Sequence, residues 1–192
     1  YRHAERTATA VENDRVYQGN GIDSFSAYSR GGRLLWRFPV AHGLESGIVV
    51  SGNLVYFGAS DGFFYALNKD TGRVNWKFPT RTENLAAPLV DQGVVYFLAG
   101  NNVLYAVDSQ TGKQLWSYNR GDVSSLSIRG GSKPAIYKGT LYVGFSDGFL
   151  TALNSRDGSL IWERKLSQQP KFVDIDASPV VDDTHIWVAS YD

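Results

Sequence analysis

The chain has 192 residues, 43% apolar and 14% aromatic, with 20 glycines, which is enough for one sizeable domain with a real core. Lys plus Arg number 19 and so do Asp plus Glu, so no basic excess draws the chain to nucleic acid or an anionic membrane by bulk charge. Cysteine is absent, which excludes disulfides, thiolate metal sites, cysteine nucleophiles and haem attachment, and no run approaches eighteen apolar residues.

The start, Tyr1-Arg2-His3-Ala4-Glu5-Arg6, reads as neither a signal peptide nor a translation start, so the expectation is a chain that begins inside a larger gene product or was processed. The first unit, about 7–39, brings Tyr17, the turn Gly19-Asn20-Gly21, Phe25-Ser26-Ala27-Tyr28 and then Gly32-Arg33-Leu34-Leu35-Trp36. The second, about 46–79, repeats the order: Leu54-Val55-Tyr56-Phe57, the turn Asp61-Gly62, Tyr65-Ala66-Leu67-Asn68 and Gly72-Arg73-Val74-Asn75-Trp76. In the third, about 86–120, strands are expected at 88–90, 94–98, 103–107 and 114–118, separated by Asp91-Gln92-Gly93, Gly100-Asn101-Asn102 and Ser109-Gln110-Thr111-Gly112, all turn chemistry. The fourth, about 132–166, ends in Gly158-Ser159-Leu160-Ile161-Trp162, and a fifth begins at Ala177.

The tryptophans recur after 40, 40 and 46 residues, and a fixed period of this size marks a repeat architecture. Four short strands per unit, apolar on both faces, need cover on both sides, and stacking identical sheets radially supplies it. The expected fold is therefore all-β: a β-propeller of four-stranded antiparallel blades, about four and a half of them, forming part of a larger ring within a single domain 1–192. A flat sandwich is the alternative, but it gives no reason for a period of forty. The Trp is expected to be the main packing residue of each blade, and Asp61-Gly62 and Asp147-Gly148 to close turns that favour positive φ.

The Ala-Leu-Asn and Thr-Gly-x-x-x-Trp signature resembles the repeat of PQQ-type propellers, which quinoprotein dehydrogenases share with the BamB family of non-enzymatic outer-membrane β-barrel assembly lipoproteins. Two irregular stretches separate them. Ser125-Leu126-Ser127-Ile128-Arg129-Gly130 resembles the Ser-Leu-Ser-Leu-Arg-Gly loop of the BamB family. Leu166-Ser167-Gln168-Gln169, followed by Val173-Asp174-Ile175-Asp176-Ala177-Ser178-Pro179, resembles that family's second loop and the strand after it, and is shorter here.

The resemblance implies that these loops bind a periplasmic POTRA domain of the barrel-assembly protein BamA. The partner-binding residues it implies are Leu126, Ile128 and Arg129 from the first loop and Asp174 and Asp176 from the second. It also implies a periplasmic location, an anchor on the outer membrane through a lipid absent from this chain, and no cofactor. The chemistry agrees: an exposed apolar pair beside an arginine makes an interface anchor, and carboxylates could orient Arg129 or meet a partner cation. The plainer alternative is that Leu126 and Ile128 plug the blade end while Arg129 pairs with an aspartate to close the loop. Self-association through exposed strand edges is a further expectation.

Asp174-x-Asp176-x-Ser178 begins like a calcium loop, but Pro179 and His185 stand where glycine and a bidentate glutamate are needed. His3, His42 and His185 are isolated from one another and lack metal-ligand spacing. The enzymatic alternative, a fragment of a PQQ-dependent dehydrogenase, lacks the adjacent cysteines such enzymes present to the cofactor. A periplasmic sensor or adaptor propeller would share the repeat without both loops. Lys69, Arg73, Lys113 and Arg164 read as a solvated rim.

Overall fold

A computed structural model describes residues 9–44, 46–84, 86–121, 132–166, 175 and 177–189, and all its regular elements are strands. The first sheet holds β1 (Ala10–Glu12), β2 (Arg15–Gly19), β3 (Ser24–Ser29) and β4 (Leu34–Pro39). The second holds β5 (Val49–Ser51), β6 (Leu54–Gly58), β7 (Phe63–Asn68) and β8 (Val74–Pro79). The third holds β9 (Leu89–Asp91), β10 (Val94–Leu98), β11 (Val103–Asp108) and β12 (Gln114–Asn119). The fourth holds β13 (Ala135–Tyr137), β14 (Thr140–Gly144), β15 (Phe149–Asn154) and β16 (Leu160–Lys165), and β17 (Val180–Val181) with β18 (Ile186–Trp187) forms a hairpin. Every sheet is antiparallel and runs up and down in sequence order.

First strands of neighbouring sheets approach each other, β1 with β5, β5 with β9 and β13 with β17, whereas the fourth strands do not come together in this way. The sheets therefore radiate from the side of their first strands. One apolar cluster fills each gap, between sheets one and two, two and three, and three and four. This is the propeller arrangement rather than the sandwich, and it explains strands that are apolar on both faces.

The repeated residues meet at a joint between sheets. Trp36 Nε1 donates to the carbonyl of Lys69 at 3.0 Å, Trp76 Nε1 to Ser109 at 2.8 Å and Trp116 Nε1 to Ser155 at 3.1 Å. The hydroxyls of Tyr17, Tyr56 and Tyr96 donate to the same three carbonyls. Each acceptor lies in the turn before the fourth strand of the next sheet. Gly72, Gly112 and Gly158 in those turns sit flat on the preceding tryptophan, where an added Cβ would be 2.6, 2.6 and 2.5 Å from the indole. The Gly-x-x-x-Trp signature is thus two halves of a contact between neighbours, not one motif within a sheet.

Three details correct the sequence reading. Trp162 is 37% exposed, against 9%, 7% and 9% for Trp36, Trp76 and Trp116, because no turn of a following sheet covers it among the described residues. In the first sheet Ala27 pairs with Trp36, as Ala66 pairs with Trp76, so Ala27 matches Ala66 and not Leu67. The offset arises in the turn: Gly32 N bonds to Ser29, three residues back, where Gly72 N bonds to Asn68, four back. Lys69, finally, is tied to Glu12 of the first sheet at 2.8 Å rather than solvated.

A serine pins each of two crossovers to the sheet that follows it. Ser46 Oγ accepts from Gly58 N at 2.9 Å and donates to Gly58 O at 2.9 Å, and Ser132 does the same for Gly144 at 2.7 and 3.0 Å. Both serines are fully buried. Replacing Ser46 with alanine should cost about 2 kcal/mol by stranding buried polar groups, read as a lower urea midpoint at unchanged slope.

Candidate partner-binding site

The five sequence candidates, Leu126, Ile128, Arg129, Asp174 and Asp176, lie outside the described residues. The roots of their two connections are described. Each connection runs from a fourth strand to the first strand of the next sheet, β12 to β13 and β16 to β17, so strand alternation puts all four roots at one end of the sheets. The turns between second and third strands share that end.

All four roots hold one short segment of the fourth sheet, residues 144–149, the turn from β14 to β15. Arg120, where the first connection leaves, bonds through Nε to Asp147 Oδ2 at 2.6 Å. Ser132, where it returns, brackets Gly144. Leu166, where the second connection leaves, donates its N–H to Gly148 O at 2.9 Å, and Ile175 near its return donates to Phe145 O at 3.3 Å. Ile175 is fully buried and lies against Gly144, where any side chain would collide with it.

Arg120 is the charged centre of this arrangement. Its side chain is 10% exposed and is paired with both Asp147 and Glu163. The guanidinium lies 4.3 Å from the ring centroid of Phe149 and 5.5 Å from that of Phe145, a cation–π geometry. Burial works against its charge, but the two carboxylates outweigh that and raise its pKa. Burial likewise raises the pKa of neighbouring Tyr118. In the second sheet the matching aspartate, Asp61, accepts instead from Tyr65 OH at 2.7 Å. Thr151 stands at the Tyr65 position in the fourth sheet, and that smaller side chain leaves room for the guanidinium.

The opposite end of the sheets carries a cleft of about 590 Å³ between sheets three and four, lined by Asp91, Gln92, Leu115, Lys138 and Arg156 among others. It is remote from the roots of the connections. Among the described residues no three His, Asp or Glu side chains gather as metal ligands do. Sequence reasoning passed over Arg120, Asp147 and Glu163 as a set. The available signal was the break in the repeat: Arg120 replaces the buried Val40 and Thr80, and Glu163 replaces Lys77, which lies 4.5 Å over the Phe63 ring.

Residues 8–192 match the model of the family described as outer membrane protein assembly factor BamB. The chain is 42% identical over 154 residues to the assembly factor of that name from Shigella dysenteriae and 41% identical to that from Escherichia coli. Each alignment covers 77% of this chain and 39% of the relative. A 37% identical stretch of 73 residues matches the Legionella pneumophila factor, 19% of its length. The chain therefore spans less than half the length of these curated relatives. Among solved structures, BamB from Moraxella catarrhalis superposes with a TM-score of 0.85 at 25% identity, over 100% of this chain and 60% of that one. A quinohemoprotein alcohol dehydrogenase from Pseudomonas putida superposes with a TM-score of 0.68 at 18% identity, over 95% of this chain and 38% of the other, a likeness of fold alone. With the repeat, the radial sheets and a family match over nearly its whole length, this chain belongs to the BamB family of outer membrane protein assembly factors.

Proposed function

We propose that this chain is the partner-binding part of a scaffold subunit of the outer-membrane β-barrel assembly machinery, working by binding rather than turnover on the periplasmic side of the outer membrane. The longer protein of which it forms part is held to that membrane by a lipid. Its partner is a POTRA domain of BamA. Leu126 and Ile128 supply the apolar anchor, Arg129 the central charge, and Asp174 and Asp176 the carboxylates beside it. One observation carries the reading: the roots of both connections hold the same turn, residues 144–149. Two loops rooted on one rigid turn can meet a partner as a single preorganised patch, which limits the ordering entropy lost on docking.

The test is a titration of the chain against the isolated POTRA segment of BamA. Arg129→Ala, and separately Leu126→Ala with Ile128→Ala, should each weaken binding about thirtyfold, the ~2 kcal/mol of an interface hot spot. Equal affinity across all three proteins, with folding intact by circular dichroism, would defeat the assignment of the patch. Tight uptake of PQQ with Ca²⁺ would favour the enzymatic alternative instead.

A further inference from the structure

We propose that Arg120 is a positioning residue for partner binding, locking the root of the first connection to the turn that also carries the second. The inference rests on the function proposed above and adds to it a residue outside both loops. The fold supplies an internal comparison. At the position just after the fourth strand, the first and second sheets place Val40 and Thr80, both 2% exposed. An uncharged side chain of ordinary size therefore suffices to seal this site in the repeat. The third sheet places an arginine there, and the neighbouring sheet differs at the positions that receive it. Thr151 replaces a tyrosine, Glu163 replaces a lysine, and Asp147 is left with an oxygen for the guanidinium.

An enclosed ion network is a poor source of stability, because desolvation offsets the Coulomb gain and apolar packing usually does as well. What it provides is direction. The planar guanidinium fork meets two carboxylates and an aromatic face in one orientation, whereas a valine in that place makes no directional bond to the neighbouring turn. Asp147 precedes Gly148, whose carbonyl holds Leu166 N at 2.9 Å, and Glu163 lies on β16 just before that root. Arg120 thus grips both sides of the second connection's point of departure while forming the start of the first. Removing it should leave the sheets formed and loosen the relation between the two loops.

The experiment compares wild type with Arg120→Val, the side chain the first sheet uses at this position. Arg120→Val should keep the strand circular dichroism signal, with a lowered thermal midpoint because Asp147 and Glu163 lose their shared cation. It should bind the POTRA segment about tenfold more weakly, ~1.4 kcal/mol, and should exchange the amide hydrogens of Gly121 and Leu166 faster while those of β14 and β15 stay protected. Unchanged affinity, or unchanged exchange at those two amides, overturns the proposal. The exchange measurement needs no partner, so it decides the positioning role even if wild type fails to bind and the functional reading falls. Loss of binding in Arg129→Ala but not in Arg120→Val sinks this inference and leaves that reading intact. Should Arg120→Val fail to fold, Glu163→Gln removes one arm of the clamp at a half-exposed position, with about a threefold loss of affinity and the same exchange signature expected.

Discussion

Trp76→Ala should destabilise the chain by about 3–5 kcal/mol, the range for deleting a large buried aromatic. The indole is 7% exposed and packs in the gap between sheets two and three against Phe64 and Tyr56, with ring centroids 6.0 Å from each. Its N–H satisfies the Ser109 carbonyl at 2.8 Å, so truncation opens a cavity and also leaves that acceptor with Tyr56 OH alone. Trp162→Ala is the matched control. That indole is 37% exposed, its ring meets Tyr142 at 6.1 Å, and no carbonyl of a following sheet receives its N–H among the described residues. It should cost only about 1–2 kcal/mol. In a chain of this size each kcal/mol moves Tm by about 2–4 °C, so the two variants should separate clearly in a thermal scan. Equal shifts would mean that the tryptophan acts within its own sheet rather than at the joint between sheets.

Gly112→Ala attacks the same joint from the other side and should cost about 2–5 kcal/mol. Part of this is conformational: Gly112 has φ +69, a region that charges an L side chain about 1–2 kcal/mol. The rest is overpacking, about 1–3 kcal/mol, because the new methyl would lie 2.6 Å from the Trp76 ring and the hydrogen bond to Ser109 keeps that ring from retreating. Gly32→Ala isolates the first part, since Gly32 has φ +83 with nothing within 4 Å of an added Cβ. It should cost about 1–2 kcal/mol. The double variant Trp76→Ala with Gly112→Ala should fall short of the sum of its singles by about 1–3 kcal/mol, because the methyl then enters the space the indole vacates. Strict additivity in urea denaturation would show that the two residues do not meet in solution.

These joints explain why so much of the architecture was legible in advance. A glycine followed four residues later by tryptophan, repeated every forty to forty-six residues, names both halves of a contact that can form only between successive copies. Period, strand count and turn chemistry then leave little besides a radial stack. The misreadings were local. The shortened turn at Ser29–Gly32 shifted the apparent alignment of the first copy by one residue, and hydrogen-bond register, not spacing, assigned Ala27 its true counterpart. Lys69 looked like a rim cation because its partner Glu12 lies in another sheet, at a distance that composition and periodicity do not express.

The sequence by itself determined the repeat unit, the all-β class and, through two interruptions of the period, the places where this chain departs from a plain stack. Those properties are local: strand propensity, turn residues and spacing act over a few positions and can be read one position at a time. Only the tertiary structure decided that one face of Trp36, Trp76 and Trp116 belongs to the next sheet's glycine, and that Arg120, Ser132, Leu166 and Ile175 all hold the turn at 144–149. Such meetings depend on the angle and offset between adjacent sheets, which the packing of many side chains sets together. A residue such as Arg120 acquires its role from carboxylates 27 and 43 positions away, and only folding brings them within reach.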